Sequence, residues 1–478
     1  MNTARTTRPN ICIVVLDAVQ ARYLSAYGHE RETSPNIREL IEEDGASRFE
    51  RAVSPSGATV DSVGSIISGL YPIEHRAGNR GGLDVDTPTL PDFLSARGYR
   101  TGMVTSNPFL TPWFGFDDGV DEFNAITHRF DRGMNVRQFF SDYRDLPKYR
   151  RYVRFLRESL DADFFHHVGN GLQFKFGLFE GEDDGATKGT SWTKDFLEGT
   201  DPWFCYAHFT ETHMTKRGSL PYTIPEEARR RFLPDGVPSD VHLADTGPTV
   251  DYSDQELDVH RRLYEGAIRY LDEKIGELRA TLKSKGVWED TLFVVTADHG
   301  ECVGEEGRLG HGILYEPGVH IPLVVKPPED GPKPSEAHRT TRTNILGLYN
   351  TIAELVDTAP SHARGPDLFG APPESVMVQN FSSTWEWSRY ADESDPWIAY
   401  YQDELKLLRQ GDHLELYDVE SGPGEQHDLT EEQPKTAARL SDSLEAELTA
   451  LNEADIEKSG IEVDRNTEER LRELGYID

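Results

Sequence analysis

Two hydrophobic rhythms alternate along the chain. Some short runs are apolar at nearly every position and end abruptly in polar residues, such as ICIVVL at Ile11–Leu16 and LFVVTA at Leu292–Ala297. Runs of this kind predict strands buried on both faces. Between them, apolar residues recur three and four apart. In the clearest such segment, 253–285, Ile268, Leu271, Ile275, Leu278 and Leu282 fall on one helical face. Ser253 and Glu256 form a capping box at its start, and Gly286 supplies a stop. Residues 32–44 read as an entry turn and helix with Ser34-Pro35 at its head, 90–107 as helix then strand, and 202–209 and 319–326 as strands. Strands alternating with helices predict an α/β fold, a large and mostly parallel sheet sandwiched by helices.

That rhythm breaks twice. Residues 127–195, rich in Arg, Phe and Tyr, read as a helical insertion within a catalytic domain spanning 1–375. From about 395 the pattern shortens to WIAYYQDELKLLRQGDHLELYDV, strands joined by a Gly-Asp turn, and from 431 it becomes an acidic helix and tail. Residues 376–478 are therefore expected to form a small C-terminal α+β subdomain. A chain of 478 residues exceeds what one ordinary core holds, in keeping with two units.

Composition adds a strong charge bias. Asp and Glu number 84 against 50 Lys and Arg, for a formal net charge of -34, and only 13 of the basic residues are Lys. The acidic residues are spread along the whole chain. Such a surface repels nucleic acid and anionic membrane, which excludes both as partners. It is expected to suit high salt, where self-repulsion is screened. Cys12, Cys205 and Cys302 are far apart and show no CxxC spacing, so neither a disulfide framework nor a zinc cluster is expected. The run Ile11–Leu16 is too short for a signal-peptide core or a membrane span, which makes a cytoplasmic location the expectation.

Asp17 and Asp298 each stand at the C-terminal end of an apolar strand, the edge at which parallel sheets bind ligands. His299 follows directly. Two carboxylates and an imidazole make a donor set for a divalent metal ion, with calcium, magnesium, manganese and zinc all open. A strand-end Asp also serves as a turn or helix cap, so the pair carries the reading rather than either residue alone.

Several segments then resemble, in order, the sulfatase family of the alkaline phosphatase superfamily. TADHGE at 296–301 is similar to its metal-binding motif, and NICIVVLDAVQARYLSAYGHERETSPNIREL at 10–40 to its opening strand, metal-binding Asp and following loop. SGLYPIEH at 68–75 resembles the end of the nucleophile helix, and GYRTGMVTSNPFLTPWFGFDDGVDEF at 98–123 the next family block. LELYDVESGPGEQHDL at 414–429 and LRELGYID at 471–478 resemble the C-terminal subdomain and tail. The resemblance implies a metal set of Asp17, Thr59, Asp298 and His299. It places the nucleophile ten residues before Gly69, at Thr59, a substrate-binding histidine at His213, and a leaving-group residue at His311.

Sulfatases proper carry Cys or Ser there in a C/S-x-P-S-R pattern that is oxidised to formylglycine. Here the segment is Thr59-Val60-Asp61-Ser62-Val63, a threonine variant without that motif. Relatives in the wider superfamily use threonine for phosphoester hydrolysis and phosphoethanolamine transfer. A hydroxyl near a divalent cation and a helix N-terminus is easier to deprotonate and can attack sulfur or phosphorus, although Thr59 also suits a plain helix cap. Ala18 replaces the family's second Asp, Gln20 a basic residue (with Arg22 nearby) and Val63 an arginine, which removes expected sulfate-binding charge. Asn107 falls close to where the family has a lysine–histidine pair, and His208 and His320 read as packing residues within strands. The expected function is metal-dependent hydrolysis of a sulfate ester of a sugar or aryl alcohol, with a small-molecule or glycan ester as partner. A phosphoester hydrolase or phosphotransferase and a metal- or glycan-binding scaffold are the alternatives.

Overall fold

The computed structural model describes residues 8–43, 45–80, 82–126, 150, 154–157, 159, 183–199, 202–214, 222–239, 252–357, 360, 362–380, 396–420 and 425–453. Most of the span 127–195 and the tail after 453 lie outside the described residues.

A seven-stranded sheet forms the centre. Its strands are β1 (Asn10–Leu16), β2 (Ser47–Phe49), β4 (Arg100–Thr105), β5 (Glu122–Ala125), β6 (Trp203–Phe209), β7 (Thr291–Ala297) and β10 (Leu323–Lys326), in the spatial order β2-β10-β7-β1-β6-β4-β5. Two short ribbons pair β3 (Ala52–Val53) with β11 (Thr343–Asn344) and β8 (Cys302–Val303) with β9 (Leu309–Gly310). Every residue of β6 and β7 is buried, as the unbroken apolar runs require of strands covered on both faces. β1, β4, β5, β6 and β7 run parallel, whereas β10 is antiparallel to both β7 and β2. The strand expected over 319–326 is correspondingly shorter. Glu316–Val319 is a helical turn, and Pro322, which has no N–H for a ladder, immediately precedes β10.

The long helix Asp254–Ser284 carries the predicted capping box and buries the whole predicted face, with Gly286 left-handed at φ 70°. Its Asp272 accepts from the backbone N–H groups of Asn36 and Ile37 at 3.0 and 2.9 Å, capping the neighbouring helix Pro35–Ile41. Helix Ala186–Phe196, at the end of the expected insertion, lies on the sheet with Phe196 against Gly102 of β4.

The C-terminal sheet is antiparallel: β12 (Ser375–Asn380), β13 (Trp397–Gln402), β14 (Leu405–Gln410) and β15 (His413–Asp418). Its two faces sort by period two. Met377, Ile398, Tyr400, Leu407 and Leu416 pack on Leu440 and Leu444 of helix Pro434–Glu453, while Val376, Val378, Ala399, Tyr401 and Leu408 pack on Ile313, Leu314 and Val319 of the large unit. β12 and the segment ending in Val319 thus brace one of the loops at the site.

Candidate active site

β1 lies between β6 and β7, with Leu16 level with Phe209 on one side and Ala297 on the other. The residues that follow these three strands therefore meet at one edge although far apart in sequence. Asp17 follows β1, Asp298 and His299 follow β7, and the turn Thr210–His213 follows β6, closed by His213 N–H donating to the Thr210 carbonyl at 3.0 Å. Ala18 turns the chain sharply at φ 61°, a left-handed conformation that costs an alanine roughly 1 kcal/mol. The turn is held by its N–H donating to Asp298 Oδ1 at 3.1 Å and by Tyr264, whose hydroxyl donates to the Ala18 carbonyl at 2.7 Å.

Thr59 opens the helix Thr59–Ser68, which ends on a left-handed Gly69. Its cap is Ala58, so the hydroxyl is not spent on capping. Instead Thr59 Oγ1 lies 3.0 Å from His299 Nε2. Gly57, just before, donates no space to a side chain: a Cβ there would stand 2.5 Å from the Ile313 carbonyl oxygen. That approach carries the loop bearing His311 to the start of the Thr59 helix. Gly300 does the same at the other end, since its Cβ would stand 2.1 Å from the Pro317 carbonyl oxygen.

The His299 ring has one assignable orientation. Nδ1 lies 2.8 Å from the Gly300 carbonyl, so that nitrogen carries the proton and Nε2 turns its lone pair inward. Nε2 stands 3.6 Å from Asp17 Oδ1 and 3.7 Å from Asp298 Oδ2. Donor atoms sharing one cation stand roughly 3.0–3.5 Å from one another. Asp17 Oδ1 is buried and has no hydrogen-bond partner among the described residues. An anionic oxygen without a donor, facing an imidazole lone pair and a second carboxylate, fits a divalent cation. Burial alone raises the affinity of Asp298 for a proton, yet His299, His208 and the Ala18 N–H outweigh it and hold the carboxyl far below its ordinary range.

His208 departs from its sequence reading as a packing residue. It is buried in β6, but its Nε2 lies 3.3 Å from Asp298 Oδ2 and 3.9 Å from Asp17 Oδ2. At 3.3 Å it donates to Asp298, which leaves Nδ1, an acceptor, without a hydrogen-bond partner among the described residues. We therefore assign it to holding Asp298, with His299 as the inward-facing imidazole. Asn107, two residues beyond β4, donates from Nδ2 to Asp17 Oδ2 at 3.0 Å and so orients the other carboxylate. The family resemblance marked the neighbourhood of Asn107 and nothing marked His208 as a site residue; the order of the strands brings both to the carboxylates. Where the resemblance expects anion-binding charge, Gln20 donates to the Glu301 carbonyl, the nearby Arg22 pairs with Glu305, and Val63 is buried in the core. Those three make no positive charge available at Thr59.

Beyond the His299 ring is a second group. His311 stacks on His299 with ring centroids 4.8 Å apart and meets the His213 ring edge-on at 4.6 Å. Glu301, the last residue of TADHGE, is 1 % exposed beneath them. Burial acts to raise its carboxyl, but His311, His213 and His299 bring it below the usual range. Burial lowers His311; His213 rises because Asp17, Glu301 and Asp298 outweigh its burial.

A mostly parallel sheet thus gathers a helix-opening hydroxyl, imidazoles and carboxylates at its carboxyl edge. The Sulfatase family matches residues 9–358, and the chain belongs to that family. It is 23% identical over 464 residues to the choline-sulfatase of Rhizobium meliloti (strain 1021), covering 89% of this chain and 83% of that one. Its fold is similar to that of the phosphonate monoester hydrolase of Agrobacterium radiobacter, with a TM-score of 0.66, 20% identity and coverage of 93% and 95% of the two chains. A structure solved in complex with D-glucosamine-2-N,6-O-disulfate superposes with a TM-score of 0.63 at 16% identity, over 95% of this chain and 100% of that one.

Proposed function

We propose that this sulfatase-family hydrolase cleaves a sulfate ester of a small alcohol or sugar, with Thr59 as nucleophile and a divalent cation held by Asp17, Asp298, His299 and Thr59. The observation that carries it is the 3.0 Å approach of Thr59 Oγ1 to His299 Nε2, a hydroxyl withheld from capping and presented to the lone pair of the inward imidazole. A cation bound there supplies positive charge that favours the alkoxide form of a nearby hydroxyl and offsets charge on the substrate's equatorial oxygens. The chain's own residues do the rest. Asn107 and His208 fix the two carboxylates, and Gly300 fixes the His299 tautomer. Thr59 Oγ forms a bond to sulfur as the bond from sulfur to the alcohol oxygen breaks, and the hydroxyl proton ends on the departing alcohol. Water then attacks the same sulfur, releasing sulfate, and Thr59 Oγ departs and recovers its proton from that water. His213 and His311 face the reacting group from beyond the His299 ring and serve the departing oxygen.

Thr59 itself favours a second reading, a phosphoester or phosphonate ester with the same roles, because threonine lacks the formylglycine route to a sulfated intermediate that breaks down readily. Nitrophenyl sulfate, phosphate, phosphodiester and phosphonate substrates, assayed with several divalent metals at high salt, separate the two. Turnover of the sulfate that disappears in Thr59→Ala supports the first; turnover confined to phosphorus esters supports the second. Equal rates for wild type and Thr59→Ala remove Thr59 as nucleophile. The net charge of -34 supports a salt-rich setting, so the melting temperature is expected to fall as salt is withdrawn. Full stability in dilute buffer would refute the salt adaptation.

A further inference from the structure

We propose that His213, Glu301 and His311 hold a second divalent cation, of the zinc or manganese class, across the His299 ring from the first. One ligand atom from each of the three residues lies within 4.8 Å of the other two. Glu301 Oε1 is buried and has no hydrogen-bond partner among the described residues. Its neighbour His311 Nδ1 stands 3.7 Å away, too far for a hydrogen bond and close to the roughly 3.4 Å that separates two ligands of a tetrahedral zinc. The other carboxylate oxygen is fixed by the Met214 N–H at 3.4 Å, which turns Oε1 toward the two imidazoles. Two imidazoles and one carboxylate are a borderline donor set, better matched to zinc or manganese than to calcium or magnesium, which prefer all-oxygen sites.

The three groups arrive from independent elements. The turn after β6 brings His213, the segment after β7 brings Glu301, and the loop bracing the Thr59 helix brings His311. That loop is clamped from outside: Gly312 N–H donates to the Gly57 carbonyl at 2.9 Å, and Asn380 Nδ2 of β12 donates to the Gly312 carbonyl at 2.7 Å. A ligand set held on braced elements needs little rearrangement to take its ion. With three protein ligands, a cation held by His213, Glu301 and His311 would supply positive charge facing a departing oxygen, a role otherwise left to a proton from His311. The proposal does not depend on Thr59 as nucleophile or on the first cation.

The test is metal stoichiometry on the full chain, using zinc alone, read by mass spectrometry and by calorimetric titration. The wild type is expected to bind two equivalents. Glu301→Gln loses one and keeps the other, Asp17→Asn does the converse, and His311→Gln, whose ring is partly exposed, repeats the Glu301→Gln result should that variant fail to fold. A wild type that binds one equivalent, retained in Glu301→Gln and lost in Asp17→Asn, overturns the proposal. So does a Glu301→Gln protein that still takes two. One equivalent lost in Glu301→Gln and retained in Asp17→Asn leaves this site standing and removes the first cation instead.

Discussion

The carboxyl edge of the main sheet and the seam beneath the C-terminal sheet both bury charge, and they treat it in opposite ways. At the seam, Glu316 accepts from Tyr401 and Lys406 and pairs with Arg342, while Glu425 pairs with Lys406 at 2.6 Å and accepts the Glu316 N–H at 2.6 Å. Burial raises the Glu316 carboxyl, but Arg342 and Lys406 more than reverse it. At the sheet edge, Asp17 Oδ1 and Glu301 Oε1 are buried with no hydrogen-bond partner among the described residues, each facing imidazoles at 3.6–3.7 Å. Closed ion pairs hold two units of a fold together. Carboxylate oxygens left without donors cost stability unless something else arrives to pair them. Burial of charge is therefore a poor guide to function, whereas the spacing between buried charges is a good one.

The largest effect that divides the two regions is expected from Thr59→Ala. The rate on whichever ester is turned over should fall on the order of 10⁴-fold while the melting temperature stays close to that of the wild type. A small loss of rate would break the claim that the edge is built for chemistry. Lys406→Met should act in the reverse sense. It takes from Glu425 its cationic partner and from Glu316 one of two, and is expected to destabilise by about 3–5 kcal/mol in denaturant titrations, without weakening zinc binding at Asp17 in the folded fraction. Unchanged stability would mean that the seam is as tolerant of lone charge as the edge.

Asn107→Ala is expected to weaken the affinity of the first cation by about 10–100-fold in calorimetry, because Asp17 loses the donor that orients it. The smallest effect is a pH slope. Burial pushes the Glu425 carboxyl up, Lys406 pulls it back and Glu316 adds to the rise, for a net value of about 7. Folded protein thus keeps a proton that the unfolded chain releases at ordinary carboxylate pH, so this group's contribution is present at low pH and lost as pH rises toward 7. Glu425→Gln should flatten the decline in stability between about pH 5 and 7 measured by thermal melts. A slope unchanged by the substitution would place its origin elsewhere.

Much of the fold was legible because it is written locally. The runs at Ile11–Leu16 and Leu292–Ala297 are apolar throughout, as strands covered on both faces must be, and Ser253, Glu256 and Gly286 mark the ends of the long helix. Asp17, Asp298 and His299 were visible because they follow those strands. The direction of β10 was not visible, since an antiparallel edge strand reads the same as a parallel one. β12 escaped notice because SVMVQN stands apart from the run that forms its partners. His208 was misread because its neighbours in β6 are core residues, and nothing local shows that its ring points along the edge rather than into the core.

The sequence by itself determined the strands and helices, the family, and three residues placed at the ends of strands, because each depends on hydrophobic period or on a contiguous motif. Only the tertiary structure decided that β1 lies between β6 and β7, which sets Asp17 against Asp298 and brings His208 and Asn107 to them. It also decided that the Thr59 hydroxyl goes to His299 rather than to its own helix, and that Glu301 lies beside His213 and His311. The Asn107–Asp17 and Ala18–Asp298 contacts join residues 90 and 280 positions apart, and the order of strands that creates them follows from packing the whole sheet, which no local pattern encodes.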